Sequence, residues 1–220
     1  GTSVIPMLAW VSVASTRPEA RVSSSAANIR RALVPRAAWV PGASGAFASI
    51  GYGVVAAFLV PRFTALHFAG HDLALTAFGI AFMITRFLGS GYAARFGGRR
   101  VLLSAFLIES MGLAGLFLTN VEWLAFASTA LAGAGLSLLI PSVTSLVTEA
   151  ADPRERTAAL GAVTSAWDLG VAIGGPLGGL VAGASNAGPF ALGAVAALIA
   201  IAPLAINSRR ERTLPAQKEA

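Results

Sequence analysis

The sequence predicts an all-α integral membrane protein with six transmembrane helices. Hydrophobic residues make up 55% of the 220 residues and charged residues only 12%, about half of the ~25% charge of a soluble domain. The apolar residues form six continuous runs of roughly 20 residues or more, the length that crosses a bilayer core. These runs do not alternate apolar with polar residues, so helices are favoured over the strands of a barrel.

The apolar runs divide the chain into three segments. We predict an apolar remnant and a cytoplasmic basic linker in residues 1–36, a six-helix transmembrane bundle in residues 37–206 and a basic tail in residues 207–220. The apolar stretch of residues 4–14 is too short to span a bilayer. We expect it to be the end of a preceding helix or a segment that lies on the membrane surface. The predicted spans are residues 37–60, 73–92, 101–119, 121–147, 157–183 and 187–206.

The basic residues predict the orientation of the spans. They concentrate in alternate gaps, which is the positive-inside pattern of a polytopic protein, and both termini are therefore predicted to be cytoplasmic. The net charge of +6 does not indicate nucleic-acid binding, because no basic face is separate from the spans. The basic residues of the cytoplasmic segments are Arg17, Arg21, Arg30, Arg31, Arg36, Arg95, Arg99, Arg100, Arg154, Arg156, Arg209, Arg210, Arg212 and Lys218, whereas the opposite gaps contain Arg62 alone.

The composition excludes several kinds of chemistry. The chain has no Cys, so disulfide scaffolds, cysteine zinc sites and iron–sulfur clusters are excluded. His67 and His71 lie four residues apart with Asp72 adjacent, a spacing that can bind zinc on a helix. The segment offers no obvious fourth ligand, and a polar loop is the preferred interpretation. We predict no enzyme activity, no cofactor and no metal.

Three charged residues lie inside predicted spans and away from the span ends, where each requires an explanation because charge in lipid is costly. Asp168 lies about 17 Å from the cytoplasmic edge of its span at ~1.5 Å per residue, near the midplane. It either carries a coupling proton or makes a hydrogen bond or salt bridge between helices. Arg86 and Glu109 lie at comparable depth in consecutive helices and are predicted to pair. Substrate contact, or an Arg86 side chain that reaches the interface, are the alternatives.

The fifth span contains many small residues at helical spacing. Glycines four residues apart allow two helix backbones to approach closely, and a proline within the span permits a kink. Simple tight packing and a gating surface both fit this pattern. The predicted packing motif is Gly170, Gly174, Gly175, Pro176, Gly178 and Gly179.

Two segments resemble signature motifs of the major facilitator superfamily. The gap between the second and third spans, residues 89–100, is similar to its loop pattern Gly-x-Leu-Ala-Asp-Arg-x-Gly-Arg-Arg. Ala94 replaces the aspartate and Ser90 the first glycine of the pattern. Residues 168–179 resemble its Gly-x-x-x-Gly-Pro-x-x-Gly-Gly motif. The loop positions that match are Arg95, Gly97, Arg99 and Arg100.

The resemblance implies one six-helix half of such a transporter, more like the carboxyl-terminal half. It implies secondary transport of a small solute (a sugar, amino acid or drug-like molecule), with protons as the coupling ion and efflux members as the most similar group. A bacterial inner membrane and a second bundle, such as a second copy, are further implied. The alternatives are a non-transporting membrane partner or regulatory subunit, or a fragment of a twelve-helix transporter. The cavity-lining candidates by this resemblance are Ser44, Phe47, Tyr52, Ser137 and Ser142.

Overall fold

A computed structural model describes residues 35–89, 91–183 and 185–206. Within these ranges it contains six helices that are long and apolar enough to cross a membrane, which confirms the predicted fold class. The predicted linker and tail (residues 1–34 and 207–220) lie outside the described residues. The helices are α1 (Arg36–Ala65), α2 (Ala74–Gly89), α3 (Gly98–Leu118), α4 (Glu122–Ala150), α5 (Arg156–Ala182) and α6 (Gly188–Ile199).

The described residues also contain two short helices and a continuation of the last span. A 3-10 turn, His71–Leu73, directly precedes α2, and a short helix that we call the loop helix, Tyr92–Phe96, lies between α2 and α3. After one turn residue the last span continues as helix from 201 to 206. The arginine-rich side of the bundle is the side where α1 begins and the loop helix lies, and the arginine-poor side is the opposite one.

Helix α1 extends further than predicted, because Pro61 is accommodated inside it and the helix continues to Ala65. Arg62, predicted to lie in a gap, belongs to the last turn of this helix and is only 8% exposed. Its guanidinium donates hydrogen bonds to the Thr119 carbonyl (3.1 Å) and to Asn120 Oδ1 (3.0 Å). These bonds attach the end of α1 to the connection between α3 and α4.

The arginine-poor side is held together by further contacts across the chain. The backbone N–H of Gly70 donates to Glu122 Oε1 at 2.7 Å. Phe63 makes edge-to-face contacts with Phe68 and Phe126, at centroid distances of 5.3 and 5.1 Å. Such ring geometry is favourable because the edge of one ring meets the electron-rich face of the other. This end of the bundle is therefore tightly packed.

The interior contacts depend on small residues that let helices approach closely. A methyl group at Gly112 of α3 would overlap the backbone of Ala132 in α4. Ser110 of α3 donates to the Ala194 carbonyl of α6 at 3.0 Å. In lipid, close backbone packing and interhelical hydrogen bonds of this kind replace the hydrophobic driving force of soluble proteins.

Burial is uneven among the six spans. Only 17% and 22% of the apolar windows of α2 and α5 are buried, whereas the other four windows are at least 44% buried. Both helices contribute side chains to one cavity, described next. We call the exposed surface of these two helices the open face.

Candidate functional site: an aromatic cavity and two carboxylates

A cavity lined mainly by aromatic side chains lies between four of the helices. Tyr52 of α1 stands between Phe78 of α2 and Trp167 of α5, at ring-centroid distances of 6.1 and 6.5 Å. Phe78 also stacks on Phe82, one helical turn further, at 6.3 Å. The cavity has a volume of about 260 Å³ and is lined by Tyr52, Phe78, Phe82, Leu136, Ile140 and Trp167.

Two further cavities border the aromatic one, and all three share Ile140. One, of about 100 Å³, is almost wholly apolar and also includes Trp167. The other, of about 480 Å³, lies toward the arginine-rich side and is more polar. It is lined by Arg86, Ala93, Ala94, Ile140, Pro141, Thr144, Ser145, Thr148 and Glu149. An apolar chamber therefore adjoins a polar one along α4.

The cavity candidates taken from the family resemblance divide into two groups. Ser44, Ser137 and Ser142 are fully buried, so their hydroxyls do not line an open cavity in this structure. Ser137 and Ser142 donate to carbonyls of their own helix, Ala134 and Leu138, which is the usual way a hydroxyl is satisfied inside a membrane helix. Phe47 and Tyr52 are partly exposed, and Tyr52 lines the aromatic cavity.

Several lining residues were not predicted from the sequence. Phe78 and Phe82 lie four residues apart on α2, and Trp167 precedes Asp168 on α5. An aromatic pair on one helix face was the available signal, since rings four residues apart point the same way. In a chain this apolar the same pattern also describes lipid-facing residues, so the sequence does not distinguish the two.

The predicted Arg86–Glu109 ion pair is not formed. Glu109 is fully buried, and neither carboxylate oxygen has a hydrogen-bond partner among the described residues. Arg86 instead donates to the Ser137 carbonyl of α4 at 3.4 Å. That carbonyl lies four residues before Pro141, which has no N–H to offer it. The proline therefore leaves an acceptor free, and the guanidinium of the neighbouring helix reaches it.

Asp168 lies on the exposed surface of α5. Its carboxylate makes no hydrogen bond and no ion pair with any of the described residues. The predicted bond to a neighbouring helix is therefore absent within this bundle. The two intramembrane carboxylates consequently differ in kind, because Glu109 is enclosed by helices and Asp168 faces outward.

The two glycine rows of α5 also face different surroundings. A methyl group at Gly170 would overlap the Ala46 carbonyl and Ser49 Oγ of α1, and one at Gly174 would lie 2.6 Å from the Ile50 carbonyl. At Gly178 it would lie 2.5 Å from the Phe58 ring. In contrast, Gly179 has open space beside it and Gly175 meets only ordinary contact. The motif therefore packs through one row, with Pro176 exposed.

The predicted conformational loop forms a helix and a sharp turn. Gly97 ends the loop helix with φ +86°, a left-handed conformation that glycine adopts without strain. Arg95 stacks on the Phe96 ring at 5.4 Å. Arg99 donates to the Leu204 carbonyl at 3.0 Å and so joins the start of α3 to the last span, while Arg100 is exposed.

The histidine segment forms a local polar contact. His71 Nε2 lies 3.2 Å from Asp72 Oδ1, and its Nδ1 lies 3.1 Å from the Phe68 carbonyl. Within residues 35–206, apart from positions 90 and 184, no three His, Asp or Glu side chains gather as a metal site would require.

Six membrane-length helices among the described residues, with ionisable side chains at mid-span and a cavity between helices, define a polytopic helical membrane protein. A family model described as Major Facilitator Superfamily matches residues 42–220. The chain therefore belongs to the major facilitator superfamily, a family of membrane transporters.

Two relatives show how much of such a protein the chain represents. The uncharacterized MFS-type transporter YhhS of Escherichia coli strain K12 is 34% identical over 197 residues, which is 90% of this chain and 48% of the relative. YhhS of Salmonella typhimurium is 32% identical over 210 residues, or 96% of this chain and 51% of the relative. The chain thus spans about half the length of the curated relatives that it matches.

Proposed function

We propose that this chain is one six-helix half of a secondary active transporter that moves a small solute by alternating access against a second bundle. The observation that carries the proposal is Asp168, a charged residue exposed at mid-span on the open face. A charge facing lipid at that depth costs at least ~2.5–3.5 kcal/mol. A second bundle seated on the open face removes the carboxylate from lipid and encloses the aromatic cavity.

The open face has the shape that such an assembly needs. Gly175, Gly179 and Gly183 follow Asp168 along the outward side of α5, and Gly179 and Gly183 have open space beside them. Small residues at this spacing let another helix approach closely. The most exposed large side chains of α2 and α5, Phe87 and Leu180 (77% and 80% exposed), are apolar.

The cavity indicates the kind of solute. Rings on three helices face one another across about 260 Å³, which favours a molecule with a flat apolar surface, such as a sugar ring or a drug-like compound. The adjoining polar chamber with Arg86 and several hydroxyls provides an aqueous route toward the arginine-rich side. Proton movement through an intramembrane carboxylate, Asp168 or Glu109, would drive export of such a solute.

The orientation follows from the charge bias of the loops. The arginine-rich side faces the cytoplasm, with both termini on that side, since basic loops are retained there during insertion. The relatives described above come from bacteria, so the bacterial inner membrane is the proposed location. A second copy of this chain would insert in the same orientation and form a parallel twofold assembly.

Native mass spectrometry of the chain in lipid nanodiscs tests the assembly. We expect a dimer that Gly179→Leu weakens, because a bulky side chain on the open face keeps the second helix away. The matched control is Gly45→Ala, a glycine of α1 with open space beside it, which should leave the dimer intact. A monomer at all concentrations would overturn the homodimer and leave the second bundle to be supplied by another half or by a longer chain.

Transport is tested in proteoliposomes with ethidium, a flat aromatic cation, as the probe. We expect an imposed pH gradient to drive ethidium movement in the wild type, and Asp168→Asn or Glu109→Gln to reduce it at least tenfold. Retention of full movement in both variants, with protein levels unchanged, would exclude coupling through these carboxylates. Absence of movement in every sample that forms the assembly would favour the non-transporting membrane partner.

A further inference from the structure

Glu109 occupies a niche that two neighbouring helices leave for it. A methyl group at Gly51 of α1 would overlap Glu109 Oε1 and lie 2.9 Å from Leu113 Cδ1. On the other side, a methyl group at Gly135 of α4 would lie 2.8 Å from Glu109 Cα. The room for the carboxyl therefore depends on the absence of a side chain on α1, and the position of the residue depends on the close approach of α4.

The niche is apolar and closed. Glu109 has no exposed surface, and both carboxylate oxygens lack hydrogen-bond partners among the described residues. An ionised carboxylate without a partner or water is much less favourable in such surroundings than the neutral acid. The closed packing of α1, α3 and α4 is consequently more compatible with the neutral acid than with the ionised carboxylate.

No other charged group on the surrounding helices compensates Glu109. The last span, 188–206, contains no charged residue. The side chain of Tyr52 contacts Phe78 and Trp167 on the other side of α1, and Arg86 of α2 bonds to the Ser137 carbonyl. The remaining charged groups of α1, α3 and α4 lie at or near helix ends: Arg36, Arg62, Arg99, Arg100, Glu122 and Glu149.

The neighbouring residue of α1 faces the candidate solute site. Gly51 is directed at Glu109, whereas Tyr52, one position later, lines the aromatic cavity with Trp167. Gly51 and Tyr52 belong to the same turn of α1, and this turn therefore lies between the Glu109 carboxyl and the aromatic cavity. A small displacement of this turn changes both sites at once, because the helix moves as a rigid element.

We propose that Glu109 is the proton-binding residue of this bundle and that the α1 turn at Gly51 and Tyr52 couples its protonation to the aromatic cavity. In the protonated state α1 is closed on α3. When Glu109 releases its proton to water, the ionised carboxylate requires hydration, α1 separates from α3, and Tyr52 moves relative to Trp167. This inference rests on the proposed transport function and assigns its coupling residue.

The fluorescence of Trp167 reports the movement without any solute. A variant with Trp10, Trp39 and Trp123 changed to Phe keeps Trp167 as the sole tryptophan, since the chain has four. In lipid nanodiscs we expect its fluorescence to follow a sigmoidal pH titration. Glu109→Gln should abolish the titration and hold the low-pH signal at every pH. Asp168→Asn separates the two carboxylates. Because Asp168 adjoins Trp167, a signal from its own ionisation would be lost in Asp168→Asn and kept in Glu109→Gln, whereas we expect the reverse.

Three outcomes overturn the proposal: no titration in the parent, a titration that persists in Glu109→Gln, or one that Asp168→Asn removes. A second pair of variants keeps Glu109 and tests the proposal even if the Glu109→Gln variant misfolds. Gly51→Ala places a methyl group in the niche and should hold the high-pH signal at every pH, whereas Gly161→Ala, at an exposed glycine of α5 with open space beside it, should titrate normally. A normal titration in Gly51→Ala would also overturn the proposal.

Infrared difference spectroscopy checks the atom that carries the proton. Ten acidic side chains contribute to the neutral-carboxyl band, and we expect one component that is lost from low to high pH in the parent to be missing in Glu109→Gln at every pH. The two proposals fail separately. Gradient-driven ethidium movement that survives Glu109→Gln overturns this inference and leaves transport standing, whereas an intact titration without any transport overturns the transport function alone.

Discussion

The two glycine rows of α5 have the same spacing but different environments. Gly170, Gly174 and Gly178 meet the backbone and side chains of α1, whereas Gly179 and Gly183 have open space beside them. The first row is part of a finished interface within the bundle. The second lies with Asp168 on the open face. The comparison teaches that identical small-residue patterns can hold a bundle together or provide a surface for a second one.

The largest predicted effect is a difference in unfolding free energy between alanine substitutions in the two glycine rows. Gly170→Ala places a methyl group against the Ala46 carbonyl and Ser49 Oγ, and overpacking of this kind typically costs ~1–3 kcal/mol. Gly179→Ala should change the stability of the isolated bundle by less than ~0.5 kcal/mol. Reversible unfolding in mixed micelles measures both. Equal losses in the two variants would contradict the assignment of the rows.

A smaller effect should come from the hydrogen bond that attaches α2 to α4. Arg86→Met removes the hydrogen bond to the Ser137 carbonyl and should lower the free energy of unfolding by about 1 kcal/mol. Pro141→Ala restores an N–H for that carbonyl, so Arg86→Met should cost little in its background.

A double-mutant cycle measures this coupling, which we expect at ~0.5–1 kcal/mol. The same cost for Arg86→Met with and without Pro141 would show that the guanidinium does not act through the freed carbonyl. Arg100→Met is the matched control, because Arg100 is exposed on the arginine-rich side and should show no coupling to Pro141.

The smallest effect should come from the hydroxyl of Ser49, at the contact between α1 and α5. It is compared with the hydroxyl of Thr164 on the exposed surface of α5. Ser49 Oγ donates to the Trp167 carbonyl of α5 at 2.8 Å, and an interhelical bond in a membrane contributes ~0.6 kcal/mol on average. Thr164 bonds only within its own helix, to Leu160. Ser49→Ala should lower the unfolding free energy by that amount, and Thr164→Ala should be neutral or slightly stabilising. A larger loss at Thr164 would place it in an interface.

Much of the architecture was predictable because each membrane helix satisfies its own backbone. The six spans were located to within a few residues, and the largest error is at the end of α1, which continues through Pro61 to Ala65. The glycine motif and the loop were identified as structural elements. Gly97 does adopt the turn conformation, and Gly170 does pack against another helix.

The partners of the intramembrane charges were not predictable in the same way. Arg86 and Glu109 are at comparable depth, which made an ion pair the simplest expectation, yet depth says nothing about the direction in which a side chain points. The serines near Pro141 were placed in a cavity by analogy with the family, and they are buried. These helices are apolar on every side, so no polar stripe distinguishes the inner face from the outer one.

The sequence by itself therefore determined the six membrane-length helices of the described residues, where each of them lies and which helix ends carry the arginines, because span length and loop charge are local properties. Only the tertiary structure decided which glycine row packs, that Glu109 is enclosed beside Gly51, and that Asp168 faces outward. Those outcomes depend on the rotation of each helix about its axis, which is set by the shapes of its neighbours and not by its own composition.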